Sequence, residues 1–300
     1  MNIAILSKGI KNYSTMRLVE EAKARGHDVR VINYAKCFVT LEQNTPVVHY
    51  RGEIVGGIDA IIPRISAGFT NYGAAIVRQF EMQNVFTTTS SISIVRSRDK
   101  LRSMQLLAKS GLGIPKTVFA RETADYEGVL EQVGGAPVII KVARGTHGTG
   151  VVLAETRKAA LAVMQAFNVE GVNFLVQEYI EESKGEDIRA FVVNGKVIAS
   201  MLRKSSDGDF RANLHQGGEG GPVKLSELER KTAQKAARAM GLAIAGVDML
   251  RSDRGPLVLE VNASPGFSIE KITGRNVASA IIEYTEHSAK TGRRKDKVGA

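Results

Sequence analysis

The stretch that decides the fold is Gly246-Val-Asp-Met-Leu-Arg-Ser-Asp-Arg-Gly-Pro-Leu-Val-Leu-Glu-Val-Asn-Ala-Ser-Pro-Gly266. Apolar residues alternate on both sides of Asp253-Arg-Gly255, which predicts two antiparallel strands and a three-residue loop closed by a left-handed glycine. This register sets Asp248 opposite Glu260. Because side chains alternate between faces, Asn262 shares the Glu260 face. The residues expected to face the core are Leu257, Leu259 and Val261.

Three oxygen-bearing side chains therefore converge on one side of the predicted hairpin: Asp248, Glu260 and Asn262. Two carboxylates and a carboxamide, without histidine or cysteine, suit hard cations. Open coordination positions favour magnesium shared with nucleotide phosphates, with manganese as a substitute. The alternative is that Asp248 flanks a turn at the surface and that Glu260 and Asn262 merely end a strand. The apolar setting favours the metal site, because an acid inside such strands costs stability unless a cation or base compensates it.

Composition limits the class of protein. The 300 residues, 43% of them hydrophobic, suffice for two domains or for one fold with a subdomain. The single cysteine, Cys37, excludes an internal disulfide and leaves too few thiols for a structural zinc site, which indicates a reducing cytoplasm. The apolar run at residues 3–6 is too short for a signal peptide, and no stretch approaches the roughly 18 apolar residues of a membrane span. We therefore expect a cytoplasmic protein without a membrane partner.

The charge balance favours anionic partners. Lys and Arg number 41 against 31 Asp and Glu, a formal net charge of +10, which suits nucleotides, acidic substrates or RNA. Part of the excess lies in Lys290-Thr-Gly-Arg-Arg-Lys-Asp-Lys297, which lacks apolar periodicity, and we expect residues 291–300 to form a disordered basic tail. The sequence has no zinc knuckle and no cluster of aromatic residues, so direct readout of nucleic acid is not expected.

The first 95 residues alternate strand and helix signals, which indicates a parallel sheet covered by helices. No G-x-G-x-x-G follows the first strand, so a dinucleotide site of that type is not predicted. Arg64 ends a predicted strand, where open sheets present groups to ligands, although an arginine at the surface is the alternative. The predicted strands cover residues 2–7, 28–33 and 59–63, and the predicted helices cover residues 13–25 and 70–82.

Two lysines lie where an anion is expected. Lys100 follows Asp99, the predicted cap of a helix, and a cation in the first turn is mildly unfavourable unless an anion shares the site. Lys141 interrupts the apolar strand of residues 137–143 and must reach water or an anion, so phosphate and surface are equally open. The loop after this strand carries three glycines that permit it to fold over phosphates as a flap: Gly145, Gly148 and Gly150.

Further polar residues end or follow strands. The apolar strand over residues 173–180 ends in a polar pair, a position from which backbone groups can bind a purine edge. A hairpin follows with the type I′ turn signature Asn194-Gly195, and Asp187 and Arg189 share one of its faces. The next loop, over residues 204–222, is rich in glycine. Two of its residues are able to serve a phosphoryl group and a metal-bound oxygen: Arg211 and Asn213.

The order of these signals resembles the ATP-grasp superfamily, and within it the RimK family of ribosomal-protein glutamate ligases. The resemblance covers essentially the whole chain and rests on Arg98-Asp-Lys-Leu-Arg-Ser-Met-Gln-Leu-Leu107, Val133-Gly-Gly-Ala-Pro137, Phe210-Arg-Ala-Asn-Leu-His215 and Glu260-Val-Asn-Ala-Ser-Pro-Gly266. It implies an α/β ATP-grasp fold with an α+β lid. The implied parts are an amino-terminal pre-ATP-grasp domain with a parallel sheet (1–95), a linker helix and central lid (96–185), a carboxyl-terminal domain with the metal site (186–290) and the tail (291–300).

The resemblance also implies roles for single residues, with ATP and two magnesium or manganese ions as cofactors. These roles are phosphate binding for Lys100 and Lys141, adenine binding for Glu178, Tyr179 and Ile180, ribose binding for Asp187, contact with the phosphoryl end for Arg211, Ala212 and Asn213, and metal binding for Asp248, Glu260 and Asn262. The sequence departs from the family pattern at Ala212, where serine is usual, and at His147, where glutamine is usual. Neither change removes a charged ligand.

The implied reaction is amide synthesis through an acyl phosphate. The implied substrates are L-glutamate and the acidic C-terminus of a small-subunit ribosomal protein, and a homo-oligomer is expected. Because several carboxylates meet beside ATP, basic groups must line the approach, and Arg64 and Arg203 are the candidates for holding a carboxylate with two prongs. Two alternatives stay open: a poly-α-glutamate or other small-molecule amino-acid ligase, and a noncatalytic ribosome-binding protein.

Overall fold

The computed structural model describes residues 1–43, 45–121, 123–143, 150–183, 185–205 and 219–291. In this part of the chain the strands form four sheets, which mark an amino-terminal, a central and a carboxyl-terminal region. None of the described helices is both long enough and apolar enough to cross a membrane.

The amino-terminal region is built around a parallel sheet, as the alternation of strand and helix signals predicts. Its elements are β1 (Asn2–Leu6), α1 (Tyr13–Ala24), β2 (Asp28–Ile32), β3 (Cys37–Glu42), β4 (Thr45–Tyr50), β5 (Glu53–Ile54), β6 (Ala60–Pro63), α2 (Thr70–Met82), β7 (Phe86–Thr87) and α3 (Ser91–Arg98), with 3-10 turns at Tyr34–Lys36 and Ala67–Phe69. The sheet has the order β2-β1-β6-β7, and neighbouring strands are parallel. The carboxyl ends of β1, β2 and β6 therefore meet at one edge, where Arg64 follows β6.

A second sheet of this region was not predicted from the sequence. The strands β3, β4 and β5 form a separate antiparallel sheet. The signal was present, because Phe38, Val39 and Thr40 are residue types enriched in strands.

The central region is an antiparallel sheet with helices on one face. Its elements, with the helix that leads into it, are α4 (Lys100–Lys109), β8 (Thr117–Ala120), α5 (Tyr126–Gln132), β9 (Val138–Val142), β10 (Val151–Ala154), α6 (Arg157–Val169) and β11 (Phe174–Glu178), followed by a 3-10 turn at Glu181–Ser183. The strand order is β10-β9-β11-β8. Ile140 and Phe174 pack with Met164 of α6 in a core that belongs to this region alone. Lys141 follows Ile140 and so lies on the opposite face.

The carboxyl-terminal region is a five-stranded antiparallel sheet between helices. Its elements are β12 (Glu186–Val193), β13 (Lys196–Lys204), β14 (Glu219–Pro222), α7 (Glu227–Ala239), β15 (Ile244–Leu250), β16 (Leu257–Asn262), α8 (Ser268–Thr273) and α9 (Val277–Thr291). The strand order is β14-β13-β12-β15-β16. The predicted type I′ turn is confirmed, since Asn194 and Gly195 have φ angles of 46° and 75°. Side chains of α7 pack on one face of this sheet and those of α8 and α9 on the other.

The amino-terminal and carboxyl-terminal regions share two continuous hydrophobic cores. Leu6 and Val261 belong to one of them, and Ile5 and Phe267 belong to the other. Burial of this apolar area fixes the two sheets relative to each other. The carboxyl edge of the parallel sheet is thereby held against the segment that follows β16, while the central sheet keeps its separate core.

Candidate active site

The predicted hairpin is formed by β15 and β16, and Asp248 pairs with Glu260 as predicted. The register shifts directly after this pair, so that Met249 pairs with Val258 and β16 bulges. The expectation that Leu259 faces the core is wrong for this reason: Val258 is fully buried, whereas Leu259 is half-buried.

The loop of the hairpin is longer than predicted, and it reaches another predicted site segment. It covers residues 251–256 instead of 253–255, although Gly255 has the expected positive φ of 92°. Its Arg254 donates from Nη2 to Oε1 of Glu178 at 2.5 Å. This contact was not predicted, because Glu178 ends a strand of the central sheet whereas Arg254 lies in a loop of the carboxyl-terminal sheet, and no local pattern links the two.

The three predicted metal ligands lie together at the end of this hairpin. Asp248 is 2% exposed, whereas the side chain of Glu260 on the neighbouring strand is 56% exposed. Asn262 donates from Nδ2 to Oε1 of Glu260 at 2.8 Å. The cross-strand pairing and the alternation of faces, both predicted from the sequence, bring these groups to one side.

Asp248 is held by two arginines, one from the neighbouring strand β12 and one from β13, the next strand in the sheet. Arg189 donates from Nε to Oδ1 at 2.7 Å and from Nη2 to Oδ2 at 2.5 Å, and Nη2 of Arg203 lies 2.9 Å from Oδ2. Burial by itself raises the pKa of Asp248, but the two guanidinium groups outweigh it and hold the pKa far below its ordinary value. Asp248 is therefore ionised at neutral pH. The sequence predicted that Arg189 shares a face with Asp187, but it predicted no role for Arg189.

Arg203 and Asp187 form the second ion pair of this buried network. Arg203 is 4% exposed, and its Nε and Nη2 donate to the two carboxylate oxygens of Asp187 at 2.6 Å each. Burial raises the pKa of Asp187 to about 6, against the opposing effect of Arg203. The two-pronged face of Arg203 that was expected to hold a substrate carboxylate is thus occupied by a carboxylate of the protein itself.

Two lysines approach Glu260 from other elements. Asp99 caps α4 as predicted, with Oδ1 accepting from the backbone N–H of Arg102 at 2.9 Å, and Lys100 in the first turn donates to the carbonyl of Val142 at 3.1 Å. Burial lowers the pKa of Lys141 to about 8, Glu260 opposes this shift, and Lys100 adds to it. Burial also lowers the pKa of Lys100, again against Glu260. The carboxylate of Glu260 therefore lies within the electrostatic reach of both lysines.

The segment expected to bind adenine joins the central and carboxyl-terminal sheets. Glu178 ends β11, and its Oε1 accepts from the backbone N–H of Lys116 at 2.6 Å in addition to Arg254. Tyr179 is half-buried and Ile180 is buried, and the carbonyl of Ile180 accepts from the hydroxyl of Ser183 at 2.7 Å. Contacts from both regions therefore hold Glu178, the first residue of this segment, in place.

Arg64 lies at the carboxyl edge of the parallel sheet, where the sequence placed it. It is half-buried instead of solvated, and its Nη2 donates to the carbonyl of Pro265 at 2.6 Å and to the hydroxyl of Ser14 at 3.1 Å. Since Pro265 follows β16, this contact joins the amino-terminal sheet to the end of the hairpin. Burial lowers the pKa of Arg64, and the charge of the neighbouring Arg98, for which the sequence predicted no role, adds to this shift.

Some predicted site residues lie outside the described part of the chain: Arg211, Ala212, Asn213, His147, Gly145 and Gly148. Gly150, the last glycine of the predicted flap, is described. Its φ is 74°, and a Cβ there would lie 2.5 Å from the side chain of Val142. Only glycine fits this position without a shift of β9, because other residues lack both the conformation and the space.

The donor set at the hairpin fits a hard cation. Within the described ranges no cluster contains three or more His, Cys, Asp or Glu side chains, so a cation site here depends on Asn262 joining Asp248 and Glu260. The amide nitrogen of Asn262 faces Glu260, and rotating the amide by half a turn places its oxygen there instead. Carboxylate and amide oxygens are the ligands that Mg²⁺ prefers.

Comparison with known proteins identifies the family. Residues 1–94 match the RimK pre-ATP-grasp domain, and residues 97–285 match the RimK-like ATP-grasp domain. A relative from Hydrogenovibrio crunogenus named "Probable alpha-L-glutamate ligase" is 54% identical over 291 residues and 97% of each chain. A relative of the same name from Picosynechococcus is 54% identical over 299 residues and 99% of each chain.

A solved structure shows the same fold at low sequence identity. The ATP-grasp ligase PsnB, complexed with a phosphomimetic variant of its minimal precursor, Mg and ADP, has a TM-score of 0.71 and 19% identity. The match covers 95% of this chain and 98% of that one. The predicted α/β ATP-grasp fold with its parallel amino-terminal sheet is confirmed. The chain belongs to the RimK-like ATP-grasp family and is an ATP-dependent, ADP-forming ligase that makes carbon–nitrogen bonds.

Proposed function

We propose that this ligase adds L-glutamate to the C-terminal glutamate of a small-subunit ribosomal protein. A carboxylate–amine ligase is supported by one observation above all: Lys100 and Lys141 converge on the hairpin that bears the carboxylates of Asp248 and Glu260. Transfer of a phosphoryl group is catalysed mainly by positioning and by neutralising its negative charge, which these groups can do. Glutamate is supported by the relatives named alpha-L-glutamate ligase. A protein acceptor is supported by the net charge of +10 and by the precursor bound to PsnB.

The nucleotide is proposed to lie between the central and carboxyl-terminal sheets. Backbone groups of Glu178, Tyr179 and Ile180 bind the adenine edge, and Asp187 accepts from a ribose hydroxyl. Lys100 and Lys141 neutralise the phosphates, to which the loop residues Arg211, Ala212 and Asn213 add further contacts. The ion pair with Arg203 fixes the carboxylate of Asp187, which is proposed to bind the ribose, and Arg203 links it to Asp248 in the same network.

Asp248, Glu260 and Asn262 are proposed to hold two magnesium ions, with manganese as a substitute. When bound, these ions supply positive charge that neutralises the phosphate oxygens. Arg189 and Arg203 keep Asp248 ionised and oriented, because they bind both of its oxygens. Glu260 is exposed enough to contact a ligand directly.

The proposed reaction has two steps. An oxygen of the acceptor carboxylate attacks the γ-phosphorus of ATP, the bond to the β-phosphate oxygen breaks, and ADP leaves an acyl phosphate behind. The amino group of glutamate then attacks the acyl carbon, phosphate departs with the bonding electrons, and the amine loses a proton. Lys100, Lys141 and Arg211 stabilise the negative charge, so positioning and charge neutralisation supply the catalysis without a covalent protein nucleophile.

The limits of the domains are proposed at residues 95, 185 and 290, with a basic tail after them and a homo-oligomeric assembly of the chain. Limited proteolysis tests the limits, since cleavage concentrates in exposed connections between domains. Light scattering of the purified protein measures the number of subunits.

The proposed function is tested with purified enzyme, ATP, glutamate and a peptide that ends in glutamate. We expect one ADP and one phosphate for each amide bond, and AMP with pyrophosphate would contradict the acyl phosphate. Lengthening of glutamate alone, without the peptide, would favour the poly-α-glutamate ligase instead. Mass spectra of ribosomal proteins from a deletion strain then show whether a small-subunit protein loses C-terminal glutamate.

A further inference from the structure

Arg64 and Arg98 lie side by side at the carboxyl edge of the parallel sheet. Arg64 follows β6, Arg98 ends α3, and both side chains are half-buried. Burial lowers the pKa of Arg64 to about 10, and the positive charge of Arg98 acts in the same direction. Burial also lowers the pKa of Arg98. Two cations in a partly desolvated environment repel each other, so the pair of arginines lowers the stability of the fold unless an anion binds to it.

The two arginines have donors to spare. Among the described residues, the side-chain acceptors of Arg64 are Pro265 and Ser14, both reached from Nη2, and that of Arg98 is the carbonyl of Ile65, reached from Nη2 at 3.0 Å. Across the described ranges, Nε and Nη1 of both side chains have no acceptor, and Nε of Arg98 is also buried. Nor does any described carboxylate form an ion pair with either of them. Unused donors of neighbouring guanidinium groups match the oxygens of a carboxylate.

The surroundings hold the pair in place beside the proposed reaction centre. The hydroxyl of Tyr34 lies 2.9 Å from that of Ser66 and accepts from the backbone N–H of Ser66 at 3.0 Å, which fixes the segment after Arg64. On the other side, the Arg64 guanidinium lies 4.9 Å from the ring centroid of Phe267, in the segment that follows β16. The field of Glu260 reaches Arg98. A ligand on the pair therefore lies near the metal end of the site.

We propose that Arg64 and Arg98 form a subsite for a carboxylate of one of the two acidic substrates, free glutamate or the acceptor chain end. This inference rests on the proposed ligase function and names where that substrate binds. This subsite replaces Arg203 as the expected binding group for a substrate carboxylate, because Nε and Nη2 of Arg203 already donate to Asp187. The phosphates of ATP are assigned to Lys100 and Lys141.

The test uses full-length enzyme in four variants: Arg98→Gln, Arg98→Lys, Arg64→Gln and the control Arg78→Gln. Arg78 is exposed on α2 and gives the same change of charge away from the site. Apparent KM values are measured separately for glutamate, for a peptide ending in glutamate and for ATP. Thermal unfolding checks the fold of each variant. If Arg64→Gln loses the contact to Pro265 and fails to fold, Arg98→Lys, which keeps the charge, still tests the subsite.

We expect Arg98→Gln and Arg64→Gln to raise KM for one acidic substrate by about tenfold or more, with KM for ATP changed by less than about twofold. Arg98→Lys should lie between wild type and Arg98→Gln, because lysine keeps the charge but not the fork. A rise for glutamate alone assigns the subsite to the free amino acid, and a rise for the peptide alone assigns it to the acceptor. Unchanged KM values for both, an equal rise in Arg78→Gln, or a rise for ATP only would overturn the proposal.

Failure of the subsite and failure of the proposed function give different results. If wild type ligates glutamate and the Gln variants match it, the subsite is wrong and the function stands. If wild type ligates no glutamate, the probe becomes glutarate, which carries two carboxylates and no amine. Protection of wild type from thermal unfolding by glutarate, lost in Arg98→Gln and kept in Arg78→Gln, would support the subsite without the function. No protection of wild type would overturn both.

Discussion

Asp248 and Arg189 form a two-pronged ion pair across neighbouring strands, with Nε 2.7 Å from Oδ1 and Nη2 2.5 Å from Oδ2. With Asp187 and Arg203 they make a network of two acids and two bases inside the carboxyl-terminal sheet. The network keeps the buried carboxylate of Asp248 ionised, and the exposed Glu260 lies opposite it on the neighbouring strand. Asp248 therefore serves the stability of the fold as well as the proposed metal site, whereas Glu260 is assigned to ligand binding alone.

We expect Asp248→Asn to lower the free energy of unfolding by about 3–5 kcal/mol, because the buried Arg203 and the half-buried Arg189 both lose the charge of the carboxylate that they contact. The control is Glu260→Gln, whose side chain is 56% exposed. That change should stay within about 0.5 kcal/mol of wild type. Urea denaturation measures both values, and equal losses in the two variants would contradict the assignment of the network to stability.

Glu260→Ala should abolish ligation while leaving the fold intact. The carboxylate faces Asp248 and lies within reach of Lys100 and Lys141, so its loss removes a principal electrostatic stabiliser, worth about 100-fold or more in turnover. Turnover is measured as ADP release with magnesium present, and thermal unfolding confirms the fold. Near-normal turnover would refute the role of Glu260 as a metal ligand.

Arg203→Ala should destabilise the protein by about 3–5 kcal/mol, since Asp187 and Asp248 both lose a buried partner. The neighbouring Lys204→Ala is the matched control, because Lys204 is 63% exposed and its ion pair within the described ranges is with Glu186 at 3.4 Å. It should cost less than about 1 kcal/mol. If Arg203→Ala instead keeps wild-type stability and raises KM for glutamate alone, Arg203 is the substrate clamp after all.

Binding of ATP should weaken at alkaline pH. Burial lowers the pKa of Lys141 to about 8, and the phosphates of bound ATP favour its protonated form and raise that pKa. Between these two values ATP binding takes up a proton, so affinity is full below pH 8 and falls above it by up to about tenfold per pH unit. Calorimetric titrations above and below this pH, in buffers of different ionisation enthalpy, measure the proton uptake.

The control for this pH dependence is Lys141→Arg, which stays protonated over the same range. It should bind ATP without taking up a proton. Proton uptake that persists in Lys141→Arg would assign the titration to another group, with Lys100 as the next candidate.

Local patterns predicted much of the architecture. The alternation in residues 244–262 placed Asp248 opposite Glu260, because a hairpin joins strands that are adjacent in sequence and its turn limits the register. The bulge that buries Val258 and leaves Leu259 half-buried was not predicted. One extra residue in a strand changes no residue type, so a pattern of apolar positions does not reveal it.

The sequence by itself determined the parallel amino-terminal sheet, the hairpin that pairs Asp248 with Glu260, the positions of Lys100 at a helix start and Lys141 in an apolar strand, and the resemblance to a ligase family. Only the tertiary structure decided how the charged groups pair. It joined Arg203 to Asp187, Arg254 to Glu178 and Arg64 to Pro265, and it left Arg64 and Arg98 without a carboxylate in the described part of the chain. Periodicity specifies which face of its own element a side chain occupies, but partners on different elements are brought together by packing of the shared cores, which no local pattern encodes.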